Sequence, residues 1–315
     1  MRTRELGATG LDISVVGLGA WAMGGGGYEW GWGPQDDGDS IAAIARACSL
    51  GVNWIDTAPI YGFGHSEEVV GRALGQMSEK PYIFTKCGLE GVDGQSVNEL
   101  KAATIERQCE DSLRRLGVEA IDLFQIHWPD PDEDIEEAWA ACVALLSAGK
   151  VRHIGVCNFG VDQLRRIGAL ASVESLQPPY SLINRGIERE ILPYSLAERI
   201  GVIVYSPMAS GLLTGSFSAE RVASLPEDDF RSHVPHFREP QLSENLAAAE
   251  RLRTVGGRLG ASPGAVAVAW VLRNPVVTGA IVGFRSPDQV DGILPQASEI
   301  ELSAEDIAYV EGNAA

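Results

Sequence analysis

Short runs of apolar residues alternate along the chain with longer stretches in which apolar positions recur every three or four residues, the pattern of buried strands separated by amphipathic helices. The apolar runs cover 15–19, 52–56, 81–86, 121–127, 153–157, 174–177, 202–206 and 279–282, which makes eight strands. Helical periodicity covers 39–49, 67–75, 97–116, 135–147, 161–170, 190–199, 243–259 and 263–273. Ser96 with Glu99 has the spacing of a capping box for the third helix, and Gly117 stops it. Ser262-Pro263 reads as a cap followed by proline at the first helical position. Ahead of the first buried strand, residues 2–6 and 11–14 flank Gly7-Ala8-Thr9-Gly10 and predict a β-hairpin that plugs one end of the fold.

Strand and helix in alternation give a parallel sheet covered by helices. Eight such repeats in 315 residues point to a (β/α)8 TIM barrel with long loops on its C-terminal face. A doubly wound sheet shares the alternation, but the dinucleotide fingerprint G-x-G-x-x-G is not met at Gly17-Leu18-Gly19 or at Gly62-Phe63-Gly64. No linker or low-complexity tract divides the chain, so 1–315 is expected to be one domain.

The segment after the second strand changes character abruptly. Val52, Trp54 and Ile55 lead to Asp56, and Pro59, Gly62 and Gly64 then make a turn-rich loop carrying Tyr61. His65 or Ser66 is placed to cap the helix that follows, with Glu67 and Glu68 in its first turn. Lys86 closes the third strand and His127 the fourth. Taken singly, each has a plain structural reading: a paired acid, a packed aromatic, a lysine with its head in water, a core histidine. In a parallel barrel, however, all strand ends open on one face, so the four residues meet there.

Together they make a proton donor with its tuning groups. A cation within about 4 to 6 Å stabilises a phenolate and lowers a phenol pKa from near 10. Lys86 supplies that cation, Asp56 holds it, and His127 positions a substrate oxygen. A carbonyl oxygen gaining charge as hydride reaches its carbon suits such a site.

Asp56-Thr57-Ala58-Pro59-Ile60-Tyr61-Gly62 with His65-Ser66-Glu67, the strand end Thr85-Lys86, and Gln125-Ile126-His127-Trp128 resemble the aldo-keto reductases, from Gly17 to about residue 295. The resemblance implies hydride transfer between NADP(H) and an aldehyde or ketone, with Tyr61 as general acid and base. It implies a cofactor held without a Rossmann domain: Asn158 and Gln177 at the carboxamide, Tyr205 against the nicotinamide, with Ser206 and Met208 beside it, and the loop from Gly211 over the pyrophosphate. Gly283, Arg285 and Gln289 fall in the adenosine segment, with Arg285 for the 2′-phosphate. Gly292 and Ile293 depart from the family pattern, where an acid or amide and then an asparagine meet the adenine, so NAD(H) stays open beside NADP(H). Trp21, Trp32 and Trp128 are assigned to the substrate, and Trp30 to core or rim. The resemblance also leaves a cofactor-sensing subunit with slow turnover as an alternative, and Lys86 by itself admits a Schiff-base lyase.

Composition narrows partners. A formal charge of −18 opposes a phosphate-backbone partner, so no nucleic acid is expected. Cys48, Cys87, Cys109, Cys142 and Cys157 lie far apart, with no C-x-x-C pair, which indicates neither zinc nor a disulfide framework. There is no apolar leader and no run of about 18 apolar residues, so no membrane and a cytoplasmic location are expected.

Overall fold

The computed structural model describes residues 1–226 and 229–313. The chain opens with an antiparallel hairpin, β1 (Thr3–Glu5) and β2 (Asp12–Ser14). Three parallel strands follow: β3 (Val16–Gly19), β4 (Trp54–Asp56) and β5 (Tyr82–Cys87). A second hairpin, β6 (Leu89–Val92) and β7 (Gln95–Asn98), then leaves the barrel. Strands β8 (Leu123–Ile126), β9 (Ile154–Cys157), β10 (Ser175–Gln177), β11 (Gly201–Val204) and β12 (Val277–Gly283) complete the circle, and β12 pairs with β3. Each strand of this closed (β/α)8 barrel is parallel to both neighbours, as the alternating pattern predicts.

Helices return the chain between strands: α1 (Asp37–Ser49), α2 (His65–Leu74), α3 (Ala102–Leu116), α4 (Ile135–Ser147), α5 (Val161–Gly168) and α6 (Ile191–Glu198). Between β11 and β12 stand the short α7 (Ala219–Ala223) and the pair α8 (Gln241–Leu259) and α9 (Pro263–Leu272). The chain ends with α10 (Pro287–Asp291), α11 (Leu294–Ala297) and α12 (Ala304–Val310). Helix α3 buries the stripe Ile105, Cys109 and Leu116, and Gly117, at φ 65°, ends it in the left-handed region that favours glycine. Among the described residues no single helix is long and apolar enough to cross a membrane.

The N-terminal hairpin does plug the barrel. Leu6 and Ile13 join Trp54, Phe84, Leu123, Ile203 and Ile281 in one buried cluster at its closed end. The indole of Trp54 fills the interior there, donating from Nε1 to the Ser14 carbonyl at 2.8 Å. It fits because Gly17 has no side chain: a Cβ at that position lies 2.1 Å from the indole ring.

Two predicted caps are not formed. Ser96 lies in β7, opposite Gly91, and α3 begins after Lys101. Its first turn is capped from outside: Glu137 of α4 accepts from the Ala102 amide at 3.0 Å, a tertiary contact that local spacing does not reveal. At α2 the N-cap is Gly64, in the left-handed region at φ 102°. His65 instead meets Asp37 at 2.8 Å, and Ser66 donates to the Ala20 carbonyl at 2.8 Å.

Candidate active site

Asp56 and Lys86 sit on adjacent strands at the C-terminal mouth, with β4 and β5 in register through Asp56 and Phe84. Lys86 has no exposed surface, and its three N–H donors meet three acceptors. The ammonium donates to Asp56 Oδ1 at 2.6 Å, to the Thr57 carbonyl at 2.9 Å and to Tyr61 Oη at 3.3 Å. Because the phenol oxygen accepts from Lys86, its own proton is free to point elsewhere. Asp56 Oδ2 accepts from Gln177 Nε2 at 2.8 Å, which ties the carboxylate across the barrel.

The loop carrying Tyr61 is held against the loop after β3 by a close approach of two glycines. A Cβ on Gly62, at φ 63°, lies 2.2 Å from the Gly24 carbonyl oxygen, so both positions require glycine. Below it a buried network keeps the strand ends in place. Thr57 Oγ1 and Ser66 Oγ are 2.9 Å apart, and the fully buried Glu67 accepts from Thr85 Oγ1 at 2.6 Å and pairs with Arg115 at 2.7 Å.

Burial and charge compete at these groups. Burial pushes the Tyr61 phenol up to about 12 even though the charge of Lys86 pulls it down. The lowering predicted for Lys86 therefore acts, but desolvation outweighs it. Burial also opposes the charge on Lys86, yet Asp56 and Tyr61 win and hold the amine above its ordinary value. His127 lies well below its ordinary value, first through burial and then through the Lys86 charge, so its imidazole is neutral at pH 7. The His127 and Tyr61 rings meet edge to face, with centroids 5.9 Å apart.

A cavity of about 1020 Å3 opens over this group. Its wall includes Asp56, Tyr61 and His127, the residues expected at a cofactor (Asn158, Gln177, Tyr205, Ser206, Met208, Gly211, Gly283, Arg285 and Gln289), and the tryptophans 21, 32 and 128. Lys86 alone of the sequence-derived positions stands behind the wall. Asn158 donates to the His127 carbonyl at 3.0 Å and accepts from the Tyr205 hydroxyl at 2.8 Å, so it links the His127 strand end to Tyr205 across the mouth. Asn158, Ser206, Ala209 and Ser210 hold left-handed backbone, at φ 64°, 56°, 48° and 56°, and such strain collects at binding sites.

Arg285, expected at a 2′-phosphate, lies in the cavity wall and is already bonded to the chain. Its guanidinium donates to Gln35 Oε1 at 2.6 Å, to the Trp32 carbonyl at 3.3 Å and to the Pro34 carbonyl, so it fastens the loop before α1. Trp21 and Trp32 face the cavity together, with ring centroids 5.3 Å apart. Trp30 and Trp128 stand at the rim, 43% and 42% exposed.

Sequence reasoning missed several pieces of the wall. The β6–β7 hairpin contributes Leu89, Ser96 and Asn98; the sequence pattern puts Asn98 in a helix and Ser96 at its cap, and gives Leu89 no element. Phe230 and Arg231, from the loop after α7, also line the cavity. A lone aromatic between Asp229 and Arg231 was the available signal.

The barrel and the group at its mouth define an oxidoreductase scaffold of one family, and the chain belongs to it: the model of the aldo/keto reductase family matches residues 15–314. Among curated relatives, the aldo-keto reductase YhdN of Bacillus subtilis (strain 168) is 38% identical over 309 residues, 97% of this chain and 91% of that protein. The NADH-specific methylglyoxal reductase of Escherichia coli (strain K12) is 33% identical, over 92% of this chain and 91% of that one. Among solved structures, the glycerol dehydrogenase AKR11B4 from Gluconobacter oxydans superposes with a TM-score of 0.89 at 39% identity, covering 99% of this chain and 94% of that one.

Proposed function

We propose that this protein transfers hydride between a nicotinamide dinucleotide and the carbonyl carbon of a small aldehyde or ketone, with Tyr61 as proton donor in reduction and acceptor in the reverse direction. The observation that carries this reading is Lys86, buried and fully bonded, with its ammonium 3.3 Å from the Tyr61 oxygen. When bound, the nicotinamide ring supplies or takes the hydride. Tyr61 gives its proton to the substrate oxygen as that oxygen gains charge, and the phenolate left behind faces a fixed cation. His127, neutral, contributes a hydrogen bond to the same oxygen without adding charge. Water at the mouth then restores the phenol proton.

The residues present fit a dinucleotide. The Tyr205 ring forms part of the wall, and Asn158 and Gln177 carry amide oxygens able to accept from a carboxamide. For the cofactor we propose NADP(H), with Arg285 as the phosphate ligand. Its Nε–H and one N–H of each terminal nitrogen are held by Gln35, Trp32 and Pro34, which leaves two of its five donors for a phosphate; NAD(H) has no group for them. The NADH-specific relative keeps that form as the competitor. A Schiff-base lyase is disfavoured, because an amine held protonated by Asp56 is no nucleophile.

Fluorescence titration with NADPH and NADH, then single-turnover oxidation of the bound cofactor by an aldehyde panel, tests the reading. Tyr61→Phe is expected to bind cofactor normally and to lose about a thousandfold in turnover. Turnover unchanged by that substitution overturns the mechanism, and slow wild-type turnover despite tight binding identifies a cofactor-sensing subunit instead.

A further inference from the structure

We propose that Phe230 sets the size limit of the substrate half of the cavity and restricts the enzyme to short-chain aldehydes and ketones. This rests on the reading of Tyr61 as the group that meets the carbonyl. Phe230 lies far from the four catalytic positions in sequence, yet only 5% of it is exposed. Its ring packs between two tryptophans, 4.9 Å from Trp21 and 4.8 Å from Trp32 by centroids. Trp21 in turn lies nearly parallel to Tyr61, at 6.1 Å and 28°. A continuous run of rings therefore leads from the phenol to Phe230, and a carbonyl seated at Tyr61 extends its substituent along these rings.

The ring is placed by an ion pair of its own two neighbours. Asp229 accepts from the Arg231 amide at 3.0 Å, from Nε at 2.9 Å and from a terminal nitrogen at 2.5 Å. The same guanidinium lies over the Trp32 ring, 5.0 Å from its centroid. Asp229 and Arg231 thus pin both ends of one residue, and Arg231 also presses on Trp32. Such a wall is rigid: aromatic rings in mutual contact have little freedom to yield to a longer substituent. The catalytic positions lie on or just after β4, β5 and β8, whereas Phe230 comes from the connection after β11, so its replacement alters the shape of the cavity and leaves the proton donor in place.

The test compares kcat/KM for an unbranched aldehyde series from propanal to octanal, and for benzaldehyde, in the wild type and in Phe230→Ala. One added methylene in an apolar pocket changes selectivity by on the order of tenfold. The expected wild-type profile falls with length, and Phe230→Ala is expected to raise the hexanal-to-propanal ratio at least about tenfold, with cofactor Kd within about twofold. Phe230→Leu, which keeps the loop filled, is expected to move the ratio the same way by less, and it carries the test if the alanine variant fails to melt cooperatively. An unmoved ratio overturns the proposal. So does a variant whose only change is weaker cofactor binding, which places Phe230 over the cofactor instead. A wild type that reduces no aldehyde overturns the hydride-transfer reading as well; wild-type turnover with an unmoved ratio overturns this proposal alone.

Discussion

Lys86 carries a charge that water cannot reach. Its three bonds, to Asp56, Thr57 and Tyr61, leave no donor over, and any conservative loss of the amine strands a carboxylate. Removing one partner of a buried ion pair costs about 3 to 5 kcal/mol, because the other charge remains buried alone. Lys86→Met is therefore expected to lower unfolding stability by that amount in urea, with the denaturant slope unchanged. Turnover is expected to fall about a hundredfold or more, since the phenolate loses its cation. Equal stability of the two proteins contradicts this account. At this scale the sequence was informative: Asp56, Lys86 and His127 were legible because ionisable residues closing apolar strands are costly unless paired, and Tyr61 because the loop after Asp56 carries it. The balance at Tyr61 was not legible, because whether burial or Lys86 dominates its pKa depends on how closely the walls surround it.

At the scale of elements, α3 shows why boundaries escape local reading. Its interior periodicity is strong, but its start is decided by Glu137 on α4, which caps the Ala102 amide. The periodicity predicts the helix from residue 97, yet Val97 and Asn98 pair with Glu90 and Leu89 in the β6–β7 hairpin. Gly91 lets the hairpin lie against Phe63, since a Cβ there lies 2.2 Å from its ring. Glu137→Ala is expected to cost about 1 kcal/mol, as loss of a helix cap does, measured as a lower urea midpoint. Since Glu137 is partly exposed, no larger loss is expected, and a loss of several kcal/mol contradicts the assignment of a simple cap.

For the whole molecule, the two ends of the barrel have separate duties. The closed end is apolar and holds Trp54 under the N-terminal hairpin; the open end holds the charges, the aromatic wall and the cavity. Trp54→Ala is expected to cost about 3 to 5 kcal/mol while leaving KM within about twofold, read from urea unfolding and steady-state kinetics on the same sample. A change in KM without loss of stability contradicts this division. The order of strands, the barrel and the identities at the strand ends follow from the sequence, because hydrophobic period and chain order limit how a parallel sheet closes. Tertiary structure alone decided that Arg285 holds the 32–35 segment, that Glu137 caps α3, and that Phe230 reaches between Trp21 and Trp32. Each of those contacts joins residues on different elements, so no local pattern records it, and each forms only once the closed barrel brings its loops to one face.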